Sequence, residues 1–281
     1  MFSPGAVCSS ADMVLAQPDV PWPRIRCITF DLDDCLWDSV QVMTCAEEAR
    51  TSVLSERYPR VLERWPTWQS FRAEAMAHIA RTQPDIAHSP SDVQKQALAL
   101  CAEECGYPAD ELVTQAFGAF AAARRDATLF DDTVPLLTAL RQRGLIIGTI
   151  TNGNADAQAV PGLGSLVDFS ITAKDAGAAK PSPRIFKRAV ANLASLRPGD
   201  GEVDPRSIVH VGDDHDKDCA GARSAGLRSI WCPASQAWDL QGPVAVEVPE
   251  AGYLGQADAR VSKLRYVLDA VVAWSETDAR L

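Results

Sequence analysis

Long apolar runs are missing from this sequence. No stretch approaches the ~20 residues that a membrane-crossing helix needs, so no membrane partner is expected. An excess of positive charge is missing too. Lys and Arg number 27 against 37 Asp and Glu, a net charge of -10. That balance argues against a nucleic-acid partner, whose phosphates would be neutralised by Lys and Arg. The first 24 residues lack the charged start, apolar middle and cleavage pattern of a secretory signal. They hold Asp12 and Asp19 and no Arg before Arg24, which weakens an organellar address without closing it. A flexible tail is expected there. The eight cysteines include no CxxC pair, and Cys101 and Cys105, four apart on an expected helix, have no His or Cys nearby to complete a metal site. They read as packed apolar side chains in a reducing, cytoplasmic setting.

What is present is a change of rhythm along the chain. The run IRCITF from Ile25 is short and apolar, as a buried strand would be. Residues 40 to 126 then show apolar positions three and four apart in four segments, with Pro59, Pro66, Pro84, Pro90 and Pro108 as punctuation. From Leu129 onward, strands such as LIIGTIT, VDFSITA, SIVHVGD and RSIWC alternate with helical stretches. Continuous apolar strands alternating with helices predict an α/β fold with a doubly wound parallel sheet. The expected division is a tail over 1–24, an α/β core from 25–37 and 131–281, and an inserted all-helical domain over 38–130.

In such sheets ligands bind beyond the carboxyl ends of the strands. Asp31 and Asp33 follow the first strand, Thr151 and Asn152 end the second, and Asp213 and Asp214 follow a third. Lys180 sits in the loop AGAAKPSP just before a helix. Any one acidic turn has an ordinary reading as a solvated loop or helix cap, and we read Asp38, Asp131 and Asp132 that way. Asp31, Asp33, Asp213 and Asp214 differ because the topology gathers them at one edge, where like charges demand a cation. All-oxygen ligands select a hard ion, and Mg²⁺ is the expected one. With Lys180 and the Thr151 hydroxyl alongside, the set suits a phosphoryl group. Asp31 would attack phosphorus to form an aspartyl-phosphate, and Asp33 would act as general acid and base. The competing role for Asp33 is structural, bonding the turn after the strand.

These motifs, FDLDDCLWD, ITNGN, AAKPSP and VHVGDDHDKDCAGARSAG, resemble those of haloacid dehalogenase-superfamily phosphatases with a helical cap after the first motif. The resemblance spans about residues 25 to 274. It implies Asp31 as nucleophile, Asp33 as acid/base, and Mg²⁺ held by Asp31, the Asp33 carbonyl and Asp213. It also implies Asp214 and Asp218 supporting the metal and Lys180, with Asn152 joining Thr151 and Lys180 at the phosphate. Cys35 departs from the family's usual Thr at a position that shapes the turn rather than the chemistry. The dehalogenating branch lacks the second aspartate, and Asp33 is present, which favours a phosphatase. A phosphomutase or phosphotransferase acting on a sugar phosphate and a silent regulatory protein are the alternatives. The expected substrate is a small phosphorylated metabolite. The runs ITNGNAD, LVDFSITA and HVGDDHDKD resemble those of phosphatases acting on flavin mononucleotide or a riboflavin-pathway phosphate.

Trp37 reads as packing the joint between cap and core, with stacking on a substrate ring as the other possibility. Trp65 and Trp68 read as anchors of the cap's own core. His210 reads as a packed side chain and His215 as a surface residue. The crossings at 36–40 and 128–132 are expected hinges. Residues 233 to 256 read as an extended loop with no assigned role, and oligomeric state is silent.

Overall fold

A computed structural model describes residues 13–15, 22–67, 74–75, 77–79, 81–86, 89–233 and 254–278. Its strands are β1 (Met13–Leu15), β2 (Cys27–Phe30), β3 (Ile146–Thr151), β4 (Phe169–Thr172), β5 (Ile208–Gly212), β6 (Arg228–Trp231) and β7 (Ala259–Val261). They form one sheet in the order β1-β7-β6-β5-β2-β3-β4. Every neighbouring pair is parallel except β1 with β7. From β2 the chain winds outward through β3 and β4, then returns to the centre and winds the other way through β5, β6 and β7. This is the doubly wound arrangement expected from the alternating pattern, and its switch point lies at β2.

The central strands read as apolar runs because both of their faces are covered. All four residues of β2 and all five of β5 are buried. Ile185, Phe186, Ala189 and Leu193 of helix Pro183–Leu196 pack with Ile150, Ile171 and Ile208 in one core cluster. Gly148 on β3 is required by close approach, since a Cβ there would overlap the Phe169 ring.

The expectation of a flexible tail over residues 1–24 fails where those residues are described. Met13–Leu15 pairs antiparallel with Ala259–Val261. The outer edge of β7 presents unpaired backbone groups, and β1 satisfies them. Trp22 meets Trp274 edge-on at 5.0 Å between ring centroids. The Arg228 guanidinium lies 5.1 Å from the Trp22 ring centroid and 5.4 Å from that of Trp274, and donates to the Pro23 carbonyl at 2.6 Å. Residues 1–12 and 16–21 of that stretch lie outside the described residues, as do 234–253 of the expected loop.

Contacts divide the chain into two units. One comprises residues 1–38, 129–152 and 156–281, the other residues 39–128 with 153–155. The second unit is helical: α1 (Ser39–Arg57), α2 (Pro59–Arg64), α3 (Pro90–Glu104) and α4 (Ala109–Ala123). Between α2 and α3, residues 74–75, 77–79 and 81–82 are helical as well. Leu54, Val61, Trp65, Leu98 and Leu112 form its own apolar core. Trp65 is thus a core anchor; Trp68 lies outside the described residues. Ser89 caps α3 by accepting the Asp92 N–H, which satisfies one of the orphan donors of the first turn. Arg50 is buried in this unit, its guanidinium 4.8 Å from the Phe120 ring centroid and donating to Gln94 Oε1 at 3.1 Å.

Candidate active site

The carboxyl ends of β2, β3 and β5 lie side by side, as the register of Phe30 with Thr149 and with Val211 requires. Asp31 follows β2 directly, its N–H still donating to the Val211 carbonyl at 2.8 Å. Beyond it the chain tightens into a turn in which the Leu36 N–H returns to the Leu32 carbonyl at 2.9 Å. Asp34 takes a left-handed conformation, φ 63°, within this turn; a short polar side chain tolerates that region. Trp37 closes the turn. It is fully buried, bridges to Asp33 and to Leu129, and its indole N–H donates to Asp33 Oδ1 at 2.8 Å. The carboxylate read as acid/base is thereby oriented from within its own loop.

Lys180 arrives from the other side. The Asn152 carboxamide holds its backbone at both ends: Nδ2 donates to the Lys180 carbonyl at 3.0 Å, and Oδ1 accepts the Lys180 N–H at 2.6 Å. The Asn152 side chain therefore positions the Lys180 backbone. The Lys180 ammonium stands 2.6 Å from Asp31 Oδ1 and 2.6 Å from Asp218 Oδ1. Thr151, buried at the end of β3, completes this side of the site.

The acidic loop after β5 is a short helical turn over His215–Ala220. Asp214 caps it, accepting the N–H groups of Asp216 and Lys217 at 3.1 and 2.8 Å, and its carboxylate pairs with the Lys217 ammonium. Asp218 Oδ2 accepts the Asp214 N–H at 3.1 Å. Gly212 makes room for this arrangement, because a Cβ there would overlap the Asp218 carboxyl group. His215 is only partly exposed: its ring packs against Trp231, and Nε2 accepts the Gln256 N–H at 2.7 Å.

Asp31, Asp213 and Asp218 each place an oxygen within 4.8 Å of the others, so this cluster could hold a metal ion. Their electrostatics separate them. Burial, with the neighbouring carboxylates, pushes Asp31 up to about 7 against the pull of Lys180, and Asp213 up to about 8. Asp218 is buried as deeply, yet Lys180 and His210 hold it well below the usual carboxylate range. Its oxygens are already taken by Lys180, His210 and the Asp214 amide. Asp31 and Asp213 remain as the crowded carboxylates that a hard cation would relieve, and an all-oxygen donor pair fits Mg²⁺.

One participant was not legible as such in the sequence. His210, expected as a packed side chain, is fully buried but polar at both nitrogens. Nε2 lies 3.2 Å from Asp218 Oδ1, and Nδ1 lies 2.9 Å from the Thr29 hydroxyl. The available signal was a lone His inside the apolar strand IVHVG, where a ring needs partners for its polar atoms.

A family of haloacid dehalogenase-like hydrolases matches residues 25–226. The chain is 27% identical over 231 residues to the 5-amino-6-(5-phospho-D-ribitylamino)uracil phosphatase YigB of Escherichia coli, covering 78% of this chain and 90% of that protein. It is 32% identical over 169 residues to a phosphoserine phosphatase of Thermus thermophilus, 59% of each. Among solved structures, a 2-haloacid dehalogenase from Pseudomonas syringae pv. Tomato DC3000 is 31% identical with a TM-score of 0.72, over 89% of this chain and 99% of that one.

Proposed function

The chain belongs to the haloacid dehalogenase-like hydrolase family, and we propose that it is a Mg²⁺-dependent phosphatase of a small phosphorylated metabolite. The observation that carries this reading is the Lys180 ammonium, 2.6 Å from Asp31 Oδ1, beside the crowded pair Asp31 and Asp213. Asp31 attacks phosphorus, the ester P–O bond breaks, and Asp33 gives its proton to the departing alkoxide. Water then attacks the aspartyl-phosphate, Asp33 takes a proton from it, and phosphate leaves with Asp31 restored. Lys180 and the Thr151 hydroxyl bind the phosphoryl oxygens and balance their charge throughout. Trp37 keeps Asp33 turned toward the leaving group. Asp31, the Asp33 carbonyl and Asp213 would hold Mg²⁺, which when bound neutralises phosphoryl charge. Asp214 and Asp218 support that arrangement from behind.

The helical unit, residues 38–130, acts as the cap that selects the leaving group, and residues 25–37 and 131–281 form the catalytic core. The substrate we favour is a riboflavin-pathway phosphate or flavin mononucleotide, supported by the likeness to the Escherichia coli enzyme along most of both chains. A cytoplasmic site of action goes with that reading.

The likeness to a dehalogenase favours a second reading, which the presence of Asp33 opposes. One assay separates them: turnover of p-nitrophenyl phosphate, a phosphometabolite panel and a 2-haloacid, with and without Mg²⁺, beside Asp31→Asn. Metal-dependent phosphate release that vanishes in the variant is expected. Halide release with no phosphate release would overturn the phosphatase.

A further inference from the structure

The site uses Asp218 to hold Lys180, and Asp218 is itself held by a group the reaction does not consume. His210 on β5 and Thr29 on β2 are register partners across the two central strands. Both side chains are fully buried, and the His210 ring is gripped edge-on by Phe186 at 5.1 Å between centroids. Asp218 pairs with the Lys180 ammonium and accepts the Asp214 N–H, so it serves as an acceptor and the nitrogen facing it, Nε2, carries the proton. Burial holds the ring neutral, which leaves Nδ1 as the acceptor for the Thr29 hydroxyl. The alternative acceptor for that hydroxyl, the Val209 carbonyl, is farther away at 3.4 Å. The chain of donors thus has one direction, from Thr29 to His210 to Asp218, where it meets Lys180.

We propose that His210 is a positioning residue for phosphoryl transfer: its Nε2–H shares Asp218 Oδ1 with Lys180 and so leaves the ammonium divided between Asp218 and Asp31. The proposal rests on the phosphatase reading above. Its physical basis is competition for one cation between two buried carboxylates, in surroundings where each hydrogen bond counts for more than in water. With a second donor on Oδ1, Asp218 pulls less strongly on Lys180. Without it, Lys180 would settle into a tighter pair with Asp218 and withdraw from the reacting centre. Asp218 selects the tautomer that makes this possible, and the Thr29 hydroxyl satisfies the nitrogen left as acceptor.

Two substitutions separate positioning from packing. His210→Phe keeps a planar ring against Phe186 but has no donor; His210→Gln loses the ring but places an amide N–H near the position of Nε2. Positioning predicts kcat roughly 10- to 100-fold down for His210→Phe and within about 5-fold of the parent for His210→Gln. A packing role predicts the opposite order, and that order would overturn the proposal. A second measurement needs no variant to fold. Nitrogen-15 chemical shifts of the His210 ring should show the neutral Nε2–H tautomer. A neutral Nδ1–H ring or a charged ring in the parent protein would sink the idea. Absence of phosphatase turnover in the parent protein would instead fail the underlying reading, with the ring's tautomer still readable.

Discussion

Lys180 and Asp218 form a buried ion pair, Nζ to Oδ1 at 2.6 Å, and the same ammonium reaches Asp31 at 2.6 Å. Asp31 and Asp218 therefore share one cation. Asp218→Ala leaves that cation to Asp31 alone and removes the acceptor of His210. Removing one partner of a buried pair typically costs about 3–5 kcal/mol. A clear fall in Tm is expected, with kcat down roughly 100-fold or more as Lys180 loses its placement. Thermal unfolding and steady-state kinetics on one preparation would check both, and unchanged kcat would show that Lys180 needs no second anchor.

Asp31 and Asp213 make the metal-free protein sensitive to alkali. Both folded values, about 7 and about 8, lie above the ordinary 3.8. A carboxyl whose folded value is raised contributes stability below its unfolded value, and that contribution is lost as pH rises through the folded value. Without metal, these two groups therefore destabilise the fold progressively between about pH 4 and pH 8. Asp218, held low, works in the opposite sense, and its contribution is lost only in strong acid. Mg²⁺ should raise Tm more at about pH 8 than at about pH 5, since binding must displace protons at the lower pH. An equal rise at both would place the ion elsewhere.

Gly212 is a test of close packing that leaves every charged group in place. In Gly212→Ala the new methyl group would meet the Asp218 carboxyl. The acidic turn has to move, and Lys180 with it. We expect kcat to fall at least about 10-fold, since small misplacements of catalytic groups are expensive. Far-ultraviolet circular dichroism should stay near that of the parent.

Trp37→Phe removes the N–H that Asp33 Oδ1 accepts at 2.8 Å while keeping most of the buried ring. A hydrogen bond to a charged group contributes about 1.5–3 kcal/mol, so kcat should drop roughly 10-fold or more if Asp33 needs that orientation. Substrate stacking by Trp37 would instead raise KM with kcat little changed.

At the opposite edge, Arg228→Met should lower Tm without touching kcat/KM. Arg228 donates to the Arg206 and Pro23 carbonyls at 2.6 Å each and lies over two Trp rings. Losing these should cost about 2–4 kcal/mol. Resistance to this change would mean that the stretch before β2 contributes little to stability.

The division between what was legible and what was not follows from the range of the forces involved. Continuous apolar strands, prolines between helical segments and acid just beyond strand ends are local patterns, and the parallel sheet with a helical insertion follows from them. That Asp31, Asp33, Thr151, Lys180 and Asp213 would gather at one sheet edge was also readable, because doubly wound topology brings strand ends together whatever the side chains do. The roles of Asn152, Trp37 and His210 were not. Each depends on a hydrogen bond to a group whose distance is set by packing, as when Asn152 clasps the backbone of Lys180, 28 positions later. Met13–Leu15 was read as tail because three apolar residues carry no signal of their own; the unpaired edge of β7 makes them a strand. The sequence by itself determined which chemistry could assemble at the sheet edge. Only the tertiary structure decided how one lysine is shared between two buried carboxylates, because that sharing depends on distances of a few ångströms between side chains far apart in the chain.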